Sequence, residues 1–393
     1  MILLPALLGA EAVTYSQHVA RILNRRCVEC HRAGEAAPMA LTSYKEVRPW
    51  AAAIRQAVLS DRMPVWLADP QHGDFRNDRR LSEEEKQTIA SWVNNGSPEG
   101  DRALLPPPAE YVEGWTIGKP DLVFDLGADF DVPASGVVPY KYFLVPSKFE
   151  EDVWIEAAEI RPDARSAVHH VIVFMLGADG KPAAREGGDL LIGWAPGEQP
   201  AVLPPGTARR IKAGTTFRIQ MHYTPNGKAA VKDRTYFGLR LARSKPARES
   251  ITGRAINTSF RIPAGEANHE VRSAFTVPRD LEIESFMPHM HLRGKAFQYT
   301  IVYPDGRREI ALRVPRYDFN WQLAYALRKP LVLPQGTRIE CVAHFDNSVN
   351  NKANPDPTKE VRWGDQNWEE MMIGWFNYTI PVSTPGPATV AAR

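Results

Sequence analysis

Three short stretches of this chain carry side chains that could hold metals. The first is RRCVECH, residues 25–31, where Cys27, Cys30 and His31 stand at C-x-x-C-H spacing. Two thiols so placed fit two thioether bonds to one porphyrin, and a histidine directly after the second fits the proximal face of the iron. A structural zinc half-site is the alternative; it needs two further ligands, and His18 and His72 form no second paired motif. The iron's sixth position calls for a soft or imidazole ligand. Met63, 32 residues past His31 between two predicted helices, leaves the chain room to wrap around the porphyrin; Met39, eight residues past His31, is the other candidate.

The other two stretches lie in the second half of the chain. SAVHHVIVF carries His169 and His170 as neighbours, with His222 further on in IQMHYTPNG. Adjacent residues of a strand point to opposite faces, so this pair could share a metal only at a strand end or a bulge, with His222 as third ligand. FMPHMHLRGK carries His289 and His291 two residues apart. Residues at i and i+2 share one strand face about 7 Å apart, so their imidazoles can converge. Three imidazoles suit copper or zinc, and a thioether as third partner would tilt the second set towards copper. WEEMMIGWF offers Met371 and Met372. Alone, such methionines are ordinary core residues; the order HH, MHY, HMH, EEMM points to metal. His344 fits no ligand position and reads as structural, and Cys341 as a buried free thiol.

The elements that must position these residues fall into two kinds. Residues 13–101 predict helices: Val19, Ile22 and Leu23 recur at helical spacing, as do Val47, Trp50, Ile54, Ala57 and Val58. Ser82 and Glu85 form a capping box, and Gly96 marks the stop. A proline-rich connector follows. From about residue 115 the chain becomes short runs of β-branched and aromatic residues separated by turns, which predicts all-β sandwiches or barrels. Two LP-x-GT turns, each leading to a strand with His222 or His344, suggest an internal repeat. At 393 residues, with 33 prolines and 27 glycines, two or three domains are expected. A net charge of +2 argues neither for nor against a particular partner, and without a basic stripe of the kind nucleic-acid binding needs, no nucleic-acid partner is expected. MILLPALLGAEA at the start resembles a secretory apolar segment and cleavage site, and is too short to span a bilayer.

Residues 13–101, with MPVW and WVNNGSPEGD, resemble the small class I type of cytochrome c. The set HHVIVF, QMHYTPNG, HMHLRGKAF and EEMM, over residues 118–380, resembles the copper type II, ascorbate-dependent monooxygenases, the family of peptidylglycine α-hydroxylating and dopamine β-monooxygenases. The resemblance implies two jelly-roll-like β-sandwiches with one copper each, facing across a solvent-filled cleft. It implies an electron-transfer copper on His169, His170 and His222, and an oxygen-binding copper on His289, His291 and Met371. The acidic pair Glu369-Glu370 selects Met371 over Met372. Peptide-amidating members hold a substrate carboxylate at positions that here are Met287, Ile373 and Trp375, so glycine-extended peptides are not expected substrates.

The expectation is thus a multidomain chain: a small all-α cytochrome c domain (13–101) followed by two all-β jelly-roll-like sandwich domains (118–255 and 256–383). A signal-peptide remnant (1–12), a linker (102–117) and a tail (384–393) complete it. The expected activity is copper-dependent hydroxylation of a C–H bond in a small organic substrate by O2. Heme c on Cys27, Cys30, His31 and Met63, together with two copper ions, would carry the electrons. They would come from an ascorbate-like reductant or another redox protein, in a periplasmic or secreted setting and without stable membrane insertion. The alternative is a periplasmic electron-transfer cytochrome with a non-catalytic copper-binding β module.

Overall fold

The computed structural model describes residues 12–35, 37–112, 114–181 and 190–382. The expected leader, save its last residue, and the expected tail lie outside them. The chain forms two compact units: Met1–Trp66 with Asp78–Tyr111, and Leu67–Asn77 with Val112–Arg393.

The small unit opens with a π-helical turn, Tyr15–Val19, that runs into α1 (Ala20–Arg26). The stretch read as one helix around Trp50 is interrupted, because Pro49 lacks an N–H and crowds the preceding turn. It becomes α2 (Tyr44–Val47), a 3-10 turn at Arg48–Trp50, and α3 (Ala51–Leu59). The interruption swings Trp50 out to 44% exposure, while Val47, Ile54, Ala57 and Val58 stay buried. The helix α4 (Glu83–Asn94) starts with the Ser82–Glu85 capping box and stops before Gly96, whose φ is 83°. Val19, Leu23, Val28, Ile54, Ile89 and Trp92 meet in its core.

The expected all-α cytochrome c domain followed by two separate sandwiches is corrected. Among the described residues strands hold 38% and helices 12%. In the small unit the four α-helices run only 4 to 12 residues. Irregular backbone lies between them, punctuated by Gly34, Pro38 and Pro64. The β region is likewise not two independent sandwiches. One nine-stranded sheet runs through both expected halves. At its centre, Arg248–Asn257 pairs in parallel with Thr207–Ile211 of the earlier half and antiparallel with Met372–Pro381 of the later one.

Two four-stranded antiparallel sheets flank this arrangement. One has the order Lys141–Pro146, Thr216–Tyr223, Val168–Leu176, Leu190–Trp194; the other His269–Thr276, Arg338–Phe345, Gly294–Val302, Arg308–Val314. The strands carrying His222 and His344 are each an inner strand of their sheet. In the first sheet Phe217, Ile219, Met221 and Tyr223 pack inward against Val171 and Val173. Strand alternation therefore sends Arg218, Gln220 and His222 to the other face. Among the described residues no helix is long and apolar enough to cross a membrane.

Candidate metal centres

The strands Val168–Leu176 and Thr216–Tyr223 pair with His170 opposite His222, and their register shifts between Val168 and His170. That irregularity is what an adjacent histidine pair needs to turn both rings to one side. His169 Nδ1 lies 3.2 Å, and His222 Nδ1 3.4 Å, from His170 Nδ1. The ligand atoms of all three fall within 4.8 Å of one another. Three nitrogens each bound at about 2.0 Å to one ion stand ~3.3–3.5 Å apart. Burial pushes His170 well below its ordinary value, takes His222 down to about 3 and lowers His169. The three rings are therefore neutral at neutral pH, and their Nδ1 atoms face one another. A cation is the partner such a donor set fits.

His289 and His291 arrive from the end of the strand Leu281–His289. This strand pairs with Met372–Pro381, placing His289 opposite Ile373 and Met287 opposite Trp375. Cross-strand partners share a face, so Ile373 shares the face of His289; Met371 lies just before the strand Met372–Pro381. Met372 belongs to the opposite face and is fully buried, whereas Met371 is half-buried beside the apolar cluster of Leu190, Ile373 and Trp375.

Both rings are held by their Nδ1 atoms. Gln322 Oε1 lies 2.6 Å from His289 Nδ1, and the Glu369 carbonyl 3.2 Å from His291 Nδ1. Oxygen acceptors require N–H at both Nδ1 atoms, which leaves each Nε2 as a bare lone pair. His291 Nε2 is buried with no protein partner. Burial takes His289 down to about 4 and pushes His291 well below its ordinary value. Glu370 pins the turn: its carboxylate accepts from the His291 N–H at 2.8 Å and the Arg293 N–H at 2.6 Å. Burial raises that carboxyl to about 8.

The two histidine sets are not parted by an open, solvent-filled cleft. The Tyr140 ring centroid stands 4.8 Å from that of His222, 5.5 Å from His170 and 6.5 Å from His291. Phe319 stacks on His169 at 5.4 Å and lies 5.8 Å from His291. The Asn367 carboxamide, from the turn before Glu370, lies 2.9 Å from His222 Nε2. Tyr140, Phe319, Gln322, Asn367 and the role of Glu370 escaped the reading of the sequence. All of them lie outside the named strands and helices; the EE pair beside Met371 was the one visible signal.

In the small unit Cys27–His31 forms a single turn after α1, with the Cys30 and His31 N–H groups donating to the Cys27 carbonyl at 3.2 and 3.0 Å. Both thiols are free and half-buried. Burial pushes Cys27 up to about 12 and raises Cys30. His31 Nδ1 lies 3.2 Å from the Met39 carbonyl, so its Nε2 is free to ligate. Met39 therefore acts through its backbone on the side of His31, while its side chain packs against the core. Met63 is half-buried in the loop after α3. Two free thiols on one turn beside a bare imidazole nitrogen fit covalently attached heme. His344 lies 3.8 Å from a Glu270 carboxylate oxygen, away from both sets.

No protein-family model and no curated protein matches the chain. Among solved structures it is similar to the major capsid protein P2 from bacteriophage PM2: 10% identity, 67% of this chain and 100% of that one, TM-score 0.29. T=1 particles derived from infectious bursal virus give 9% identity, 67% and 70% coverage and a TM-score of 0.20. Allantoicase gives 8%, 56%, 79% and 0.18. Likeness at these scores carries no inference about fold or activity. The resemblance to cytochromes and copper monooxygenases rests on the residues alone.

Proposed function

We propose that this chain is a monooxygenase that uses two copper ions and one covalent heme to hydroxylate a C–H bond of a small organic substrate. The observation that carries the reading is the first histidine set, whose ligand nitrogens lie within 4.8 Å of one another, together with a second pair, His289 and His291, whose Nδ1 atoms face oxygen acceptors so that each Nε2 is left over. The balance is R–H + O2 + 2e⁻ + 2H⁺ giving R–OH + H2O. Copper, when bound, supplies the redox chemistry that activates O2 and delivers single electrons.

The chain's own residues do the rest. Gln322 and the Glu369 carbonyl fix the tautomers of His289 and His291, so that Nε2 of each is available. Glu370 holds the turn between them and the Met371 strand. Tyr140 and Phe319 fill the space between the two sets and keep water from it. Met287, Ile373 and Trp375 pack with Met371 into an apolar wall, which favours a substrate presenting C–H bonds rather than charge. Heme, when bound, would be held by Cys27, Cys30 and His31, with Met63 as the further candidate ligand, and would supply single-electron transfer from an ascorbate-like reductant or another redox protein. Covalent heme places the protein in an extracytoplasmic, periplasmic or secreted setting.

Oxygen uptake by copper-loaded protein tests the reading. Uptake that requires both copper and an added organic substrate, with hydroxylated product, is the expected result. Reversible oxidation and reduction with no substrate-dependent uptake would instead make the chain an electron carrier with a silent copper module.

A further inference from the structure

Arg218 occupies an unusual place in the face that carries the first histidine set. It stands four residues from His222 on the same strand face, about 13 Å away at the rise of a strand, and directly opposite Phe174. Its guanidinium carbon lies 4.9 Å from the Phe174 ring centroid and 5.8 Å from that of Tyr142. The side chain is half-buried, and its Nε is buried with no hydrogen-bond partner. Among the described residues no carboxylate forms an ion pair with it. Phe174 in turn packs against the apolar cluster that includes Met287, Met371, Ile373 and Trp375. Apolar packing therefore links Met371 through Phe174 to an unpaired, partly desolvated cation. Leaving such a group unpaired is costly, and the planar guanidinium fork is matched by a carboxylate. Two other charges reach this region: Asp365, which acts on the Tyr142 phenol, and Arg254, whose guanidinium carbon lies 5.7 Å from the Trp375 ring centroid; Gln220 is occupied by the Tyr142 hydroxyl at 2.8 Å.

We infer that Arg218 anchors the carboxylate of an apolar monocarboxylic acid, whose aryl or alkyl body lies along Phe174 and the Ile373–Trp375 wall with its far end towards Met371. The inference rests on the monooxygenase reading for what happens at that far end, but not for binding. It differs from recognition by a charged group beside the H-x-H pair, where this chain has Met287.

The probes are 6-phenylhexanoate and the neutral 6-phenylhexan-1-ol, titrated calorimetrically into copper-loaded full-length protein. The variants are Arg218→Gln and Arg218→Lys. Wild type binds the acid at least ~10-fold more tightly than the alcohol. Arg218→Gln weakens the acid ~10–100-fold and leaves the alcohol unchanged, and Arg218→Lys falls between, since an ammonium keeps the charge but not the fork. Equal affinity of wild type for the two probes, failure of both to bind, or undiminished acid binding by Arg218→Gln each overturns the inference. Acid binding without acid-dependent oxygen uptake sinks the monooxygenase reading and leaves the anchor standing. Hydroxylation of neutral substrates alone, unaffected by Arg218→Gln, sinks only the anchor.

Discussion

The two histidine sets reach a similar end by opposite means. In the first, His169, His170 and His222 turn their Nδ1 atoms to one another, and what brings them together is strand pairing with one irregularity. In the second, the Nδ1 atoms of His289 and His291 are taken by Gln322 and the Glu369 carbonyl, so the opposite nitrogens remain. One set is built by backbone register, the other by outer residues that fix each ring. The first should tolerate changes in its surroundings and fail when a histidine is lost. The second should respond to residues that never touch a metal.

Loss of a first-set ligand gives the largest effect. His170→Ala should remove one copper from the stoichiometry outright while the Met371 site keeps its own, as read by metal analysis after copper loading; loss of both coppers would mean that the two sets are not separate sites. Next, the adjacent methionines should part company. Met371→Ala should abolish Cu(I) binding at the second set with little change in stability, since Met371 is only half-buried. Met372→Ala should leave copper binding intact and cost about 2–5 kcal/mol in denaturant unfolding, because it empties a fully buried site.

A smaller effect is expected from Gln322→Leu, which removes the acceptor of His289 Nδ1. Copper affinity at the second set should fall ~10–100-fold, the usual effect of losing such a partner, with Gln322→Glu largely restoring it and the first set unmoved. The smallest effect is on pH dependence without metal. His222 and His289 hold their protons only down near pH 3 and 4 when folded, against about 6.5 when unfolded. Between pH 6.5 and 4 the unfolded chain therefore binds more protons, and stability should fall as pH falls, by at most ~1.4 kcal/mol per pH unit for each group. His222→Gln and His289→Gln should each flatten the slope in urea titrations; a profile flat from pH 6.5 to 4 in the unaltered chain would contradict the burial of neutral rings.

What the sequence made legible was local. The C-x-x-C-H turn, the Ser82 capping box, the Gly96 stop and the alternation of TFRIQMHY are all set by near neighbours. The interruption at Pro49 was readable too, but the helical spacing of Val47, Trp50 and Ile54 masked it. What stayed hidden depends on register between distant strands. The nine-stranded sheet joins segments 40 to 130 residues apart through pairings such as Arg248 with Thr207 and with Pro381, which no periodicity announces. The closeness of the two histidine sets through Tyr140 and Phe319 has the same origin. Two LP-x-GT turns suggested two repeated, separate domains; the repeat shows in the two inner strands, but the shared sheet joins the halves.

The measurement that bears most directly on the central claim is metal stoichiometry with ligand identity. Protein matured with heme, loaded with copper and reduced without oxygen would be analysed for iron and copper, and for Cu–S scattering by X-ray absorption. The account predicts one heme and two coppers per chain, with sulfur bound to one of the two coppers and lost in Met371→Ala. One copper or none, or two coppers with no sulfur ligand, would contradict it.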